Sequence, residues 1–327
     1  MKRNQPAERC LQACILMMTA LTAAAAMLSA QESQKPEMPA ADLVRVSVAN
    51  EIAASDHPKT LHMFCSHKQT PKVSQTRLYV ETTDALAAML IAVNDQPLTE
   101  QQQKGEDDHL AWLMNTPDQL RKKHAREKED EARTLQIVKA LPDAFLYEYA
   151  GTEKSEAGMG ETGDQLAKLN FKPNPNYSPP SRVEQVLAGL QGYLLIDTKA
   201  QRVARIDGTL ARDVSFGWGI LGRLDKGGRF LVKQADLGLG DGAWGITEIS
   251  LNVTGKLLLF KPLNMVSDET LSDFRKMPAH MTFAQGVELL KTEQEKLAHA
   301  QHPDPQHQDQ HANPPAEQTA EQQKAPQ

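Results

Sequence analysis

The chain has 327 residues, of which 40% are hydrophobic and 24% charged, which is enough for one large or two small folded domains. Its formal net charge of -6 excludes nucleic-acid binding through a basic surface, and 5% aromatics leave no evident platform for stacking bases or sugars.

Residues 1–30 read as a secretory signal peptide. Lys2, Arg3 and Arg9 make a positive start, Leu11–Leu28 is rich in Ala, Leu and Met, and the small pair Ser29-Ala30 precedes the polar QESQKPEMPA. Cleavage is expected after Ala30, with Ala26 as the alternative because Ala24-x-Ala26 also fits; an uncleaved membrane anchor is the competing use of the same residues. Leu11-Gln12-Ala13-Cys14 spells a lipobox, but a lipobox cysteine follows the apolar run and this one precedes most of it. Cys10 and Cys14 leave with the leader, and Cys65 is then alone, so the exported chain is held by packing rather than by a disulfide. The expected location is the periplasm or the outside of a bacterial cell.

Residues 31–41 form a Pro/Ala/Glu-rich linker, and a single domain is expected over 42–298. Asp42–Ser55 is the first predicted helix, with Leu43, Val46, Val48, Ala49, Ile52 and Ala53 as its apolar stripe. Strands are predicted at Leu61–His67, Gln75–Glu81 and Ala87–Val93, bounded by the turn-type clusters DHPK, QTPK and NDQP. From 98 to 141 the character changes. Thr116-Pro117-Asp118-Gln119 is a helix start, and the charged run after it has little apolar face before Leu135. The segment is read as a helical insertion projecting from the sheet, its 116–135 helix either simply solvated or a docking helix for a partner.

Two more strands are predicted at Phe145–Ala150 and Leu166–Phe171, and capping boxes at Ser181–Glu184 and Thr282–Gln285 open a short helix and a last helix to about Ala298. In that last helix Val287, Leu289, Leu290 and Leu297 are available to pack. Residues 299–327 are low in complexity, with four histidines, and are expected to be disordered. Between these helices, Gly189–Met277 is punctuated by Gly, Asp, Asn and Lys clusters about every 8–12 residues, the pattern of consecutive antiparallel strands. Its clearest strand is Ile246–Val253, where Thr247, Ile249, Leu251 and Val253 alternate with Glu248, Ser250 and Asn252. The order of elements gives one α+β domain dominated by an antiparallel sheet.

Candidate chemistry is sparse. Gly217-x-Gly219-x-x-Gly222 spells a dinucleotide fingerprint but runs into turn and strand instead of opening a helix, so no nucleotide cofactor is expected. His62, Cys65 and His67 are metal-ligand types, yet on a strand His62 faces away from the other two, and no second ligand pair follows. Asp236–Gly242 is read as a glycine-rich hairpin connection rather than a calcium loop. Nucleophile motifs are absent from the sequence, so no metal, cofactor or enzymatic activity is expected; a hydrolytic site would need His62, His67 and Asp197 to converge. The large apolar groups of the strip are either ordinary core or the lining of a groove for an apolar ligand. The candidate lining residues are Leu195, Phe216, Trp218, Phe230, Trp244 and Phe260.

Within the strip, Gly192-Tyr-Leu-Leu-Ile-Asp197, Arg202-Val-Ala-Arg-Ile206 and Ala243-Trp244 leading into Ile246–Val253 resemble the outer-membrane lipoprotein-sorting (LolA-like) protein family and its secreted envelope relatives. Leu195 stands where that family has a strand tryptophan, and the 98–141 insertion is long for the lipoprotein carrier. The resemblance implies a half-barrel with helices covering its concave side, and a groove that takes a lipid or a lipoprotein acyl chain, as carrier or sensor. As a sensor, the chain would pass lipid status to an envelope membrane protein through the charged helix. The alternative is a non-catalytic interaction module of the same fold that docks through the charged 116–135 helix.

Overall fold

The computed structural model describes residues 38–56, 60–216, 221–258 and 261–301, with side chains as far as Leu297. Residues 1–30, read as a signal peptide, and almost all of the 299–327 segment lie outside them. In chain order the elements are α1 (Ala40–Asp56), β1 (His62–Gln69), β2 (Ser74–Val80), β3 (Ala87–Val93), β4 (Gln96–Pro97), α2 (Glu100–Asn115), α3 (Pro117–Ala144), β5 (Phe145–Lys154) and β6 (Gln165–Pro173). A 3-10 helix (Glu184–Gly189) follows, then β7 (Leu190–Asp197), β8 (Arg202–Leu210), β9 (Val214–Phe216), β10 (Gly222–Leu224), β11 (Arg229–Asp236), β12 (Trp244–Leu257), β13 (Lys261–Lys276) and α4 (Phe283–Gln301).

The strands form one open, curved antiparallel sheet in the order β4-β3-β2-β1-β13-β12-β11-β8-β7-β6-β5, with the β9–β10 ribbon attached to the end of β12. The α+β class and the antiparallel sheet are those expected from the strand-and-turn pattern. Local chemistry sets several connections. Asn94 and Asp95 take φ of 51° and 59° between β3 and β4, the left-handed pair that a two-residue hairpin turn requires. Between β11 and β12, Asp236 and Asp241 accept the amides of Gly238 and Ala243, which makes the Asp236–Gly242 segment the hairpin connection its sequence suggests. Gly192 lies so close to β8 that a Cβ there would sit 1.9 Å from the Asp207 carbonyl oxygen.

Side-chain caps open α2 and α4, whereas α3 and the 3-10 helix after the predicted Ser181–Glu184 box begin without one. Thr282 and Gln285 exchange reciprocal hydrogen bonds and open α4, whose Val287 and Leu290 are buried while Leu297 is exposed. The 98–141 segment is two helices, and its full capping box is Thr99 with Gln102; Thr116 makes no side-chain cap. In α1 the buried stripe is Leu43, Val44, Ser47 and Val48, whereas Ala49 and Ala53 are exposed. The helix is rotated from its predicted face because Glu51 is drawn to the sheet. Its carboxylate accepts from Arg202 Nε (2.8 Å) and Nη2 (2.6 Å), from the Val203 amide (3.1 Å) and from Gln234 Nε2 (2.7 Å).

Helices pack on both faces of the sheet. At the β1–β3 end, Met63, Leu78, Val80 and Met89 form a core with Leu110 and Leu113 of α2 and Phe283, Val287 and Leu290 of α4. The 98–115 part of the insertion is therefore core-forming rather than a projection. At the β5–β8 end, α1 lies against β5, β8 and α3. Tyr147 of β5 donates to the Leu141 carbonyl at the end of α3, over the face that carries Phe171. Outside β3, Glu106 of α2 and Glu127 of α3 accept the outward amides of Leu90 and Leu86 (3.2 and 3.1 Å), so the helix pair covers an otherwise unpaired strand edge.

Candidate functional site

Cross-strand register identifies an apolar band on one face of the sheet. Leu169, Leu194, Ile206, Val232 and Ile249 stand opposite one another on β6, β7, β8, β11 and β12, and the next position on β13 is Glu269. The neighbouring row on the same face is Phe171, Gly192, Gly208, Phe230, Leu251 and Ser267. Leu169, Leu194 and Phe171 are buried, whereas Ile206, Phe230, Val232, Ile249 and Leu251 are only half-buried. The band thus leaves the cover of α1 and α3 as it crosses β11 and β12, while its composition stays apolar as far as β13. Half-open aliphatic and aromatic side chains at adjacent register positions can hold an apolar chain by burial alone, at about 0.8 kcal/mol per methylene.

The structure divides the six predicted lining residues. Phe230 is on the band. Phe216 pairs with Gly222, which pairs with Leu257, and Leu257 shares the band's face because it alternates with Leu251 and Val253 on β12. Leu195 is on the opposite face, next to Leu194 but in register with Lys168 and Arg205, and is completely buried. It is core, packed with Met159, Leu166 and Ala204, and Trp244 packs against the same cluster with the Arg202 guanidinium 5.4 Å from its ring centre. A strand position cannot serve both faces, so Leu195 lines no groove on the band's side. Trp218 and Phe260 lie outside the described residues. Val232, Ile249 and Leu251 were not singled out by sequence, although the period-two alternation of Ile246–Val253 already put Ile249 and Leu251 on one face.

Polar candidates separate. His62 contacts Glu81 (Nδ1 to Oε2, 3.1 Å) and His67 contacts Thr76 (3.1 Å), both at β1. Asp197 is at the end of β7, with four strands between β7 and β1, a separation of roughly 24 Å along the sheet. The three do not converge. Asp197 instead accepts the amides of Glu161, Lys199 and Ala200, closing the β7–β8 turn and fastening the preceding loop to it. Burial raises the Cys65 thiol above its ordinary value, with Asp273 adding to the effect, which disfavours the thiolate. Tyr193 lies between the Lys168 ammonium (4.3 Å) and the Arg205 guanidinium (5.3 Å), and desolvation outweighs these cations to hold its hydroxyl above the ordinary tyrosine value.

Away from the band, a groove of ≈ 550 Å³ lies between α3 and the segment before the 3-10 helix, lined by Leu135, Gln136, Lys139, Tyr177 and Glu184 among others. A second, of ≈ 340 Å³, runs between α2 and α3 past Trp112, Lys122, Lys123 and Arg126. Trp112 is 48% exposed there, with His109 stacked on it.

No protein-family model matches the chain, and no curated protein does. Among solved structures, a DUF1329 family protein from Desulfovibrio piger is similar at 8% identity, covering 77% of this chain and 99% of its own, with a TM-score of 0.25.

Proposed function

We propose that this is an exported protein of the bacterial envelope that binds a lipid, a lipoprotein acyl chain or another apolar ligand along the half-open band, as a carrier or sensor without a catalytic step. The observation that carries the reading is the row Leu194, Ile206, Val232, Ile249, which stays apolar while its cover ends. A closed structural core would bury those side chains, and a solvated sheet face would alternate to polar ones. The resemblance of Gly192–Asp197 and Arg202–Ile206 to the lipoprotein-sorting family, and the leader-like residues 1–30, support the same reading and the periplasmic location.

Titration with a fluorescent fatty acid tests it, beside native mass spectrometry of the protein from the envelope fraction. Saturable uptake, weakened about tenfold by Phe230→Gln and again by Ile249→Gln, is the expected result. A folded parent protein that takes up no fatty acid and carries no lipid-sized mass would refute it. The exposed Trp112 beside Lys122 and Arg126 favours a second reading, a protein-docking surface formed with the 116–135 helix. That reading predicts loss of a partner, with fatty-acid binding intact, in Trp112→Ala.

A further inference from the structure

The groove between α3 and the segment before the 3-10 helix shares no residue with the apolar band. At its wall stands a carboxylate unlike the other buried ones. Among the described residues Glu184, Asp197, Asp207 and Glu293 are buried. Asp207 is held by the Arg205 and Arg229 guanidinium groups, and Glu293 by Arg275 and Lys296. Asp197 accepts three backbone amides. Glu184 is 6% exposed, yet its contacts are with neutral side chains, Gln136 Nε2 at 3.3 Å and the Tyr177 hydroxyl. No Lys, Arg or His nitrogen among the described residues lies within 4.0 Å of its carboxylate. A buried carboxylate without a counter-charge is costly, because neutral hydrogen bonds replace only part of its hydration.

The other polar atoms of the ≈ 550 Å³ groove are acceptors too. Gln136 Nε2 donates to Ser181 Oγ (3.1 Å) and to Glu184, which leaves Gln136 Oε1 without a donor among the described residues. The Asp143 carboxylate, on the same helix wall, has no donor among them either. Desolvation first, then Glu184 and then Asp143, hold the Tyr177 hydroxyl above the ordinary tyrosine value, so both carboxylates act on the same point of the groove. Against these two charges the wall offers Lys139, which is exposed and pairs with neither. Leu135, Ala140 and Pro180 make its apolar side. What complements this lining is positive, rich in donors, and carried on an apolar body of small-molecule size. A metal ion fits less well: no group of three or more His, Cys, Asp or Glu side chains comes together among the described residues, and the apolar side would offer it no ligand.

We infer that this groove binds a small organic cation, a primary ammonium on a short aliphatic or aromatic body, with Glu184 as its counter-charge. An ammonium has three donors, and the Glu184 carboxylate, Gln136 Oε1 and the Tyr177 hydroxyl oxygen are three acceptors for them. Leu135 and Pro180 receive the apolar body. The inference does not depend on the apolar band holding a ligand, because the two sites have no residue in common.

The test is calorimetric titration of the full chain with phenethylammonium chloride, beside phenylethyl alcohol, its neutral counterpart of similar size. Saturable binding of the ammonium, about tenfold or more tighter than of the alcohol, is expected. Glu184→Gln keeps the shape of the side chain and should weaken ammonium binding about tenfold or more while leaving the alcohol unaffected. The two exposed charges act in opposite directions. Asp143→Asn should weaken ammonium binding about twofold and Lys139→Gln should strengthen it about twofold, both effects shrinking at high salt. Equal affinity for ammonium and alcohol would overturn the inference, as would ammonium binding that survives intact in Glu184→Gln. If Glu184→Gln does not fold, the other two variants decide: changes in the same direction, or none, would overturn it. Tighter binding of N-acetyl-lysine methylamide than of phenethylammonium would also overturn it, and would assign the groove to a lysine side chain of a partner protein.

Discussion

Replacing Glu51 by alanine should detach the helix that covers the inner end of the apolar band. Glu51 and Arg202 are only 16% and 14% exposed at their side chains, and the carboxylate also holds the Val203 amide and Gln234. Removing one member of a buried pair costs about 3–5 kcal/mol, because the other charge is left without its partner. The residual exposure of both groups lets water reach Arg202, so the cost should fall to about 2–4 kcal/mol. For a domain of this size that lowers the melting temperature by roughly 5–15 °C. Urea denaturation of Glu51→Ala, Arg202→Ala and the double variant measures it. The double variant should be less destabilised than the sum of the singles, with a coupling of about 1–3 kcal/mol. If Glu51→Ala shifts stability by less than about 0.5 kcal/mol, or if the two changes add without coupling, then α1 is held by Leu43, Val44 and Val48 alone and the account of its rotation is wrong.

Other expectations concern the same framework. Gly192→Ala places a methyl group 1.9 Å from the Asp207 carbonyl, against backbone on the neighbouring strand, and should cost more than about 3 kcal/mol or prevent folding, as read by soluble yield and circular dichroism. Ser47→Ala should stabilise the protein by up to about 1 kcal/mol in urea denaturation, since the Ser47 hydroxyl on the buried face of α1 has no hydrogen-bond partner among the described residues. The Glu293 carboxylate is held below its ordinary value of 4.5 by hydrogen bonds from Lys296 and then Arg275. Its stabilisation is therefore present above the ordinary glutamate range and lost as the pH falls through the depressed folded value. Glu293→Gln should flatten that part of the acid limb of a stability–pH curve, and an unchanged acid limb would contradict the assignment.

Much of the scaffold was legible one residue at a time. Ala87–Val93 is an unbroken apolar run that ends on Asn94-Asp95, and short-range chemistry alone stops a strand there and turns it. Thr282 and Gln285 spell a helix start because both halves of the cap lie within four residues. The Asp236–Gly242 connection and the strand character of Ile246–Val253 have the same origin, and together such signals determined an antiparallel α+β fold. Periodicity also placed Ile249 and Leu251 on one side of β12. It could not say which side α1 would cover, or how far that cover would reach.

Those questions belong to tertiary structure. Leu194 and Leu195 are adjacent and equally apolar, yet only the pairing of β7 with β6 and β8 puts Leu194 on the band and Leu195 in the opposite core. The stripe of α1 was misjudged around Ala49 and Ala53 because Glu51, a surface residue by composition, finds Arg202 151 positions away and turns the helix toward it. Glu106 and Glu127 look like solvated charges in a polar helical segment, and they became edge caps only once β3 lay beside them. Alternation, turns and caps act over a few residues and are written locally. Which face is covered, which charge is buried and which leucine is left in water depend on partners distant in the chain, and the folded sheet alone brings those together.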